Sequence, residues 1–425
     1  MTILIISIFV IGYLLITLEQ SLKVNKAATA LITAVLCWTV IAITSNDINH
    51  VISSLSKHLS SISEIVFFLL GAMTIVELID AHDGFQSITD KIKTANTTKL
   101  VWTLSIITFF LSSVLDNLTT TIVMVSILNK LIQDKKTKWL LLGLVIISAN
   151  AGGAWSPIGD VTTTMLWIGG QITPLNIIKE TFIASLVCMI IPTLIINHQI
   201  KGNIEFMAKE DQYLNLSLIE RNFILFIGIA ALLFVPLFKT ITHLPPYMGM
   251  LLSLGVIWVV TEFIHKGKQV DARKNLSVND ALRKIDTASI LFFLGILMSI
   301  ASLEYIDVLP QLAKALDKTA GNINVVAISI GFLSSVFDNV PLVAALQSMY
   351  GLDKYPTDHY FWELLAYCAG TGGSCLIIGS AAGVAVMGIE KIDFFWYLKK
   401  ISWIAVIGFL SGAAIFIIEN EIILK

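Results

Sequence analysis

The stretch "SSVLDN" occupies residues 112–117, and "SSVFDN" occupies residues 334–339, 222 residues later. Each sits in the middle of a long apolar run, and how that middle is read decides the fold. Residues 100–133, as one helix at 1.5 Å per residue, would be about 51 Å long. That is too long for one crossing of a roughly 30 Å hydrocarbon core, and two crossings need about 40 residues plus a turn. The polar centre therefore predicts a re-entrant hairpin: two half-helices that enter and leave on one side, with the tip near mid-membrane. Residues 322–350 fit the same description, with Asp338-Asn339-Val340-Pro341 at the turn. Irregular backbone is tolerated at such depth only where it is buried in protein or lines a water-filled cavity.

Working outward, the chain has 425 residues, 56% hydrophobic and only 14% charged, against about 25% charged in an average soluble domain. Apolar windows of membrane-spanning length recur along it, so the fold class is an all-α polytopic membrane protein with the lipid bilayer as its solvent. A net charge of −2 without a basic tail gives no reason to expect a nucleic-acid partner. The cysteines Cys37, Cys188, Cys368 and Cys375 form no CxxC or Cys/His pattern. They read as small buried residues, and no cofactor is expected. The first apolar run starts at residue 2 without a basic leader region or a small-residue cleavage site, so it is expected to remain as a helix.

The repetition extends beyond the hairpin tips. "FFLLGAM" at 67–73 is echoed by "FFLGILM" at 292–298, and "ANAGGAWSPIGD" at 149–160 by "AGTGGSCLIIGS" at 369–380. Three colinear echoes define two repeats. The first covers 1–200, with its hairpin at 100–133 and a glycine-broken helix at 139–168. The second covers 218–425, with its hairpin at 322–350 and a broken helix at 361–388. Each reads as three spanning helices, a hairpin, a broken helix and a closing helix, joined by polar connectors that include 45–63. A hairpin returns to its own side, so each repeat crosses five times. Five is odd, so the second repeat is inverted relative to the first. This count puts 21 of the 28 Lys and Arg on one side, which the positive-inside rule makes cytoplasmic. A multi-pass protein of a bacterial inner membrane with both termini periplasmic is expected.

A carboxylate at mid-bilayer costs several kcal/mol, by a contested amount, so Asp116 and Asp338 need a compensating role. Each could simply cap the half-helix that follows it. The broken helices offer partners for an ion instead. Asn150, Gly152, Gly153, Ser156 and Pro157 interrupt one helix and free its carbonyls, and Asp160, Thr162, Thr163 and Thr164 follow directly. Such hard oxygen ligands suit Na⁺ or Li⁺. Close helix packing would equally account for the glycines, and hydroxyl-to-backbone bonding for the threonines. The second copy (Gly372, Ser374, Ser380) has no acid. Na⁺ is therefore expected at Asp116, Asn117, Asn150, Asp160 and Thr163. Thr162, Ser334, Asn339, Gly372 and Ser374 complete the ion-binding set, and Asp338, lacking a cation partner, is the more proton-like group. Glu64 and Asp286 are expected to cap or flank matching helices, and Glu77 and Glu304 to lie at solvated helix ends. His50, His58 and His82 read as surface histidines.

These residues resemble the NhaD-type sodium/proton antiporters of the ion transporter superfamily. The likeness is carried by "FFLLGAMTIVELIDAHDGF" (67–85), "SSVLDNLTTTIV" (112–123), "SANAGGAWSPIGDVTTTMLW" (148–167), "SSVFDNVPLVAAL" (334–346) and "AGTGGSCLIIGSAAGV" (369–384). It implies a scaffold region, a transport region of two opposed hairpins and two broken helices, and a homodimer. It also transfers functional positions to Asp116, Asn117, Asn150, Asp160, Thr162, Thr163, Ser334, Asp338 and Asn339. The reading is a secondary transporter, not an enzyme, that exchanges Na⁺ or Li⁺ for H⁺ by alternating access. The alternative is an organic-anion (dicarboxylate or citrate) symporter of the same superfamily, whose carriers place Ser-Asn-Thr where this chain has Asp-Asn. A remote alternative is an intramembrane aspartyl hydrolase using Asp116 and Asp338.

Overall fold

The computed structural model describes residues 1–17, 19–85, 96–200, 217–266 and 276–420. Most of the connectors at 81–99, 198–221 and 265–286 fall outside the described residues. Among those described, the regular structure is helical throughout, and eight helices are long and apolar enough to cross a membrane. The N-terminal part holds α1 (Thr2–Thr17), α2 (Lys26–Thr44) and α3 (Ile48–Ala81). Helices α4 (Thr97–Leu115) and α5 (Asn117–Leu131) follow and meet at Asp116. Next come α6 (Lys135–Gly153) and α7 (Val161–Ile168), separated by unwound backbone at 154–160, and then α8 (Pro174–Gln199). The C-terminal part holds α9 (Leu218–Thr242), α10 (Pro246–His265), the short α11 (Val278–Lys284), α12 (Thr287–Tyr305) and α13 (Val308–Ala320). Helices α14 (Ile323–Ser334) and α15 (Asn339–Met349) flank Asp338. A 3₁₀ turn at Gly373–Cys375 and unwound residues to 380 separate α16 (Tyr360–Gly372) from α17 (Ala381–Glu390). The last helix is α18 (Phe394–Ile418).

Polar caps set the helix starts. Asn96 accepts from the Lys99 amide at 3.0 Å to open α4. Asp134 accepts from the Thr137 amide at 2.8 Å to open α6, and Asp286 from the Ser289 amide at 3.0 Å to open α12. Each satisfies an amide that the first turn leaves without a helical partner. Asp286 is thus a cap, as the sequence suggested, and all four cysteines are buried.

One connector is helix instead. Residues 48–63 continue α3, which opens at Asp47 (Oδ1 to the His50 amide, 3.1 Å) and runs for 34 residues. At about 51 Å, α3 outreaches a roughly 30 Å core. Its first turns are polar because they stand outside the core, and helicity does not end where hydropathy does. Glu64 accordingly lies in mid-helix and caps nothing.

The packing is reciprocal. Helix α2 packs on α12, and α10 packs on α3. Helix α4 packs on α6 and α14 on α16, while α5 packs on α17 and α15 on α7. The closing helices α8 and α18 pack on each other. Large apolar side chains such as Ile3, Val35, Ile43, Phe226 and Phe263 face outward, as a lipid-facing surface requires. The interior holds a different population: Asn150, Asp160, Thr162 and Thr163 are buried among the breaks in α6–α7 and α16–α17.

Candidate functional site

Two backbone contacts build the frame of the site. Ser112 Oγ donates to the Ala149 carbonyl at 2.7 Å, and Ser334 Oγ donates to the Ala369 carbonyl at 2.7 Å. One turn further on, Gly152 lies against the Phe109 carbonyl and Gly372 against the Gly331 carbonyl, where any Cβ would collide. Each Ser-Ser-Val word is thereby held directly to a broken helix. Ser334 and Gly372 are framing residues here, since neither lines the cavity between the breaks.

Both aspartates of the repeated word do cap the following helix. Asp116 Oδ1 accepts from the Thr119 amide at 2.8 Å, and Asp338 Oδ1 accepts from the Val340 amide at 3.2 Å. Their second oxygens part company. Asp116 Oδ2 accepts from the Thr119 hydroxyl at 3.0 Å. Asp338 Oδ2 lies 3.2 Å from the ammonium of Lys26, which also sits 4.3 Å over the Phe292 ring. The expectation that Asp338 lacks a cation partner is corrected: the cation arrives from the start of α2, 312 residues away.

The centre of the site is Asp160, 2% exposed, at the unwound end that opens α7. Its Oδ1 accepts from the amide and the hydroxyl of Thr162, each at 2.8 Å. Its Oδ2 accepts from Asn117 Nδ2 at 2.8 Å, and Asn339 Nδ2 reaches both oxygens at 3.4 Å. The asparagines that follow the two repeated aspartates therefore converge on one carboxylate. Asn117 Nδ2 also reaches Asn150 Oδ1 at 3.1 Å. Asn150 donates onward to Ser374 Oγ at 2.9 Å and Ser380 Oγ at 3.0 Å. Ser380, opening α17 through the Gly383 amide, stands where Asp160 stands at α7. Among the described residues Asp160 forms no ion pair.

A cavity of about 70 Å³ is lined by Lys26, Asp116, Asn117, Asp160, Asp338 and Asn339, with apolar residues of α3 closing its wall. A second cavity, about 310 Å³, shares Lys26 and Asp338 with it and extends along Tyr13, Glu19 and Ser380. Of the residues expected to hold Na⁺, Asp116, Asn117 and Asp160 line the small cavity, and Asn150 stands behind it in the same network. Thr163 does not face it: its hydroxyl donates to the Asp160 carbonyl at 2.9 Å. Thr164 does line it, with its hydroxyl donating to the Pro157 carbonyl at 3.0 Å. Lys26 was missed because it reads as one more loop cation. Its one signal was position, since a lysine in a helix's first turn opposes the macrodipole and needs a nearby anion.

The citrate transporter family profile matches residues 13–362. Sodium/proton antiporter 1 of Arabidopsis thaliana is 49% identical over 98% of this chain and 72% of its own length. Sodium/proton antiporter 2 of the same plant is 47% identical over 95% and 96%. The Na⁺/H⁺ antiporter NhaD of Alkalimonas amylolytica is 29% identical over 96% and 89%. The chain belongs to the citrate transporter family, within the group of its sodium/proton antiporters of NhaD type.

Proposed function

We propose that this protein exchanges Na⁺ or Li⁺ for H⁺, with Asp160 as the carboxylate for which the ion and the proton compete. The observation that carries the reading is the convergence of Asn117 and Asn339 on a buried carboxylate that has only neutral donors around it. Burial without a counter-charge disfavours a bare carboxylate. It is stable holding a proton, or holding a small hard cation whose remaining ligands are amide and carbonyl oxygens. One carboxylate that holds one or the other couples the two fluxes without further machinery. Asn117 and Asn150 are already in place, and an amide turned about its end presents oxygen in place of nitrogen. Asp116 lies on the cavity wall as a second acid for the cation. Asp338, held by Lys26, gives the site an internal competitor: an ammonium on the same wall that offsets one of its three carboxylates.

The organic-anion reading draws on the family's printed description. A cavity of about 70 Å³ with three carboxylates on its wall opposes it, because an anion favours neutral donors and helix N-termini free of acids. The experiment is proton movement in everted vesicles, challenged in turn with NaCl, LiCl, KCl and citrate. Na⁺ and Li⁺ should move protons outward from the acidified lumen, and Asp160→Asn should abolish the response. Citrate uptake surviving in Asp160→Asn vesicles would replace this reading with the anion symporter.

The finer architecture belongs to the same proposal: residues 1–200 and 218–425 are inverted repeats, each with five crossings and a re-entrant hairpin. The reciprocal packing of the helices supports it, as do the paired Ser–carbonyl bonds. So do the contacts at helix ends. His50 bonds Tyr305 at 3.0 Å and Thr173 bonds Asp358 at 2.6 Å, all on the side assigned as periplasmic. Lys138 meets Glu390 at 3.0 Å and Lys284 meets Glu77 at 3.6 Å, all on the cytoplasmic side. The setting is a bacterial inner membrane with both termini periplasmic, and the assembly is a homodimer. Single cysteines at Lys136 and Lys354 should be labelled from opposite faces, cytoplasmic and periplasmic respectively. Labelling of both from one face would rule out the inverted arrangement.

A further inference from the structure

Far from the cavity, three side chains converge where α3 ends and the α9–α10 pair closes. His82 follows the last residue of α3 and is fully buried, and His265 ends α10 at 5% exposure. Glu220 lies in the first turn of α9. His82 was expected at the surface. Instead its Nε2 lies 3.2 Å from His265 Nε2, and Glu220 Oε1 lies 3.4 Å from the same His265 nitrogen. One ligand atom from each of the three falls within 4.8 Å of the others.

We propose that His82, His265 and Glu220 form a binding site for a divalent transition metal of the zinc class. Three features carry it. The tautomer of His82 is fixed: Nδ1 lies 2.7 Å from the Leu78 carbonyl and donates to it. That makes Nε2 the ring nitrogen that faces His265, and the same backbone bond is the outer-shell support that metal-bound histidines use. The spacing is that of a coordination edge. Ligands about 2.0–2.1 Å from a tetrahedral metal stand about 3.3–3.4 Å apart, and the two contacts at His265 are 3.2 and 3.4 Å. The donor set is two imidazoles and one carboxylate, which suits zinc-class ions with a fourth position open to water. It does not suit Na⁺ or Mg²⁺, which favour all-oxygen sites.

A metal here joins α3 to both α9 and α10. Helix α3 also supplies Phe68, Leu69, Ala72, Met73 and Val76 to the wall of the small cavity. The site thus braces one wall of the cavity from the cytoplasmic side, outside the transport reaction itself.

The test uses the full-length protein in detergent, stripped with a chelator and titrated with CoCl₂, then with ZnCl₂ as competitor. The expected result is one Co²⁺ per chain, with the visible absorption of tetrahedral or five-coordinate cobalt, displaced by Zn²⁺, and a rise in the thermal midpoint. His82→Gln and His265→Gln should each weaken binding beyond the roughly 10–100-fold that loss of an outer-shell partner brings. Glu220→Gln should weaken it less, and His243→Gln, at a distant helix end, should change nothing. Absence of saturable one-to-one binding by the unmodified protein overturns the proposal, whatever the variants do. So does binding that survives intact in both histidine variants, which would leave the pair as a hydrogen bond between rings.

Discussion

The helix break at Asp116 and the one at Asp338 share a sequence, a cap and a serine bond to a broken helix, yet carry different charge. Asp116 spends both oxygens on Thr119, whereas Asp338 shares one with a lysine. At the adjoining unwound backbone the contrast repeats, with Asp160 opening α7 and Ser380 opening α17. The frame is duplicated and the electrostatics are not. A symmetric frame can present a site to two sides in turn. Coupling an ion to a proton needs only one carboxylate that either can occupy.

The largest effect should separate Asp160 from its counterpart. Asp160→Asn should lower Na⁺-driven proton flux in vesicles to background. Ser380→Ala, which loses a cap of about 1 kcal/mol and one acceptor for Asn150, should retain flux within several-fold. Equal loss in both would erase the distinction between the two breaks. Next come the repeated aspartates. Asp116→Asn should abolish exchange in a protein that still inserts, because the amide can still cap α5 but brings no charge to the cavity. Asp338→Asn should keep exchange but distort its pH profile, and a profile left unchanged while Na⁺ half-saturation climbs would make both aspartates ion ligands.

A smaller change is expected from Lys26→Gln. Removing an ammonium from the wall of the cavity that would hold the cation, at an effective dielectric near 20, is worth roughly 2 kcal/mol before screening. The Na⁺ half-saturation should fall roughly three- to thirty-fold, and a rise would show that Lys26 holds the site open rather than competing for it. The smallest effects belong to the frame. Ser112→Ala and Ser334→Ala should each cost about 1 kcal/mol, one net hydrogen bond, and lower the thermal midpoint by similar amounts. A gap of more than twofold between them would show that the two bonds, alike in length, are not alike in weight.

Much of this was legible in the chain because membrane depth makes polar residues expensive. Asp116, Asn117, Asn150 and Asp160 stand out against their apolar surroundings, and the structure gathers the last three in one hydrogen-bond network with Asp116 on the wall of the same cavity. The breaks were legible too, since glycines and a proline crowd into mid-span at 152–157, although Gly152 serves close packing as well. Lys26 and His265 were not, for a common reason: each sits at a helix end, where a charged or titratable residue needs no explanation, and each finds its partner through packing over 180 residues or more. The N-terminal half of α3 was misread because hydropathy reports immersion, and a helix that leaves the membrane keeps its hydrogen bonds but loses its apolar pattern.

The contacts of Gly152 with the Phe109 carbonyl, and of Gly372 with that of Gly331, have a mechanical consequence. Two backbones pressed together with no side chain between them have nothing to bend, so they cannot slide without opening a gap that nothing fills. Helix α4 and the last turns of α6 therefore form one stiff cassette, and α14 with α16 forms another. Any stroke that carries the ion must place its slip plane elsewhere, along the seams that α3 makes with α7 and α12 makes with α15. Spin labels at the exposed Ile106 and Lys136 should hold their distance through the cycle while labels across such a seam change theirs.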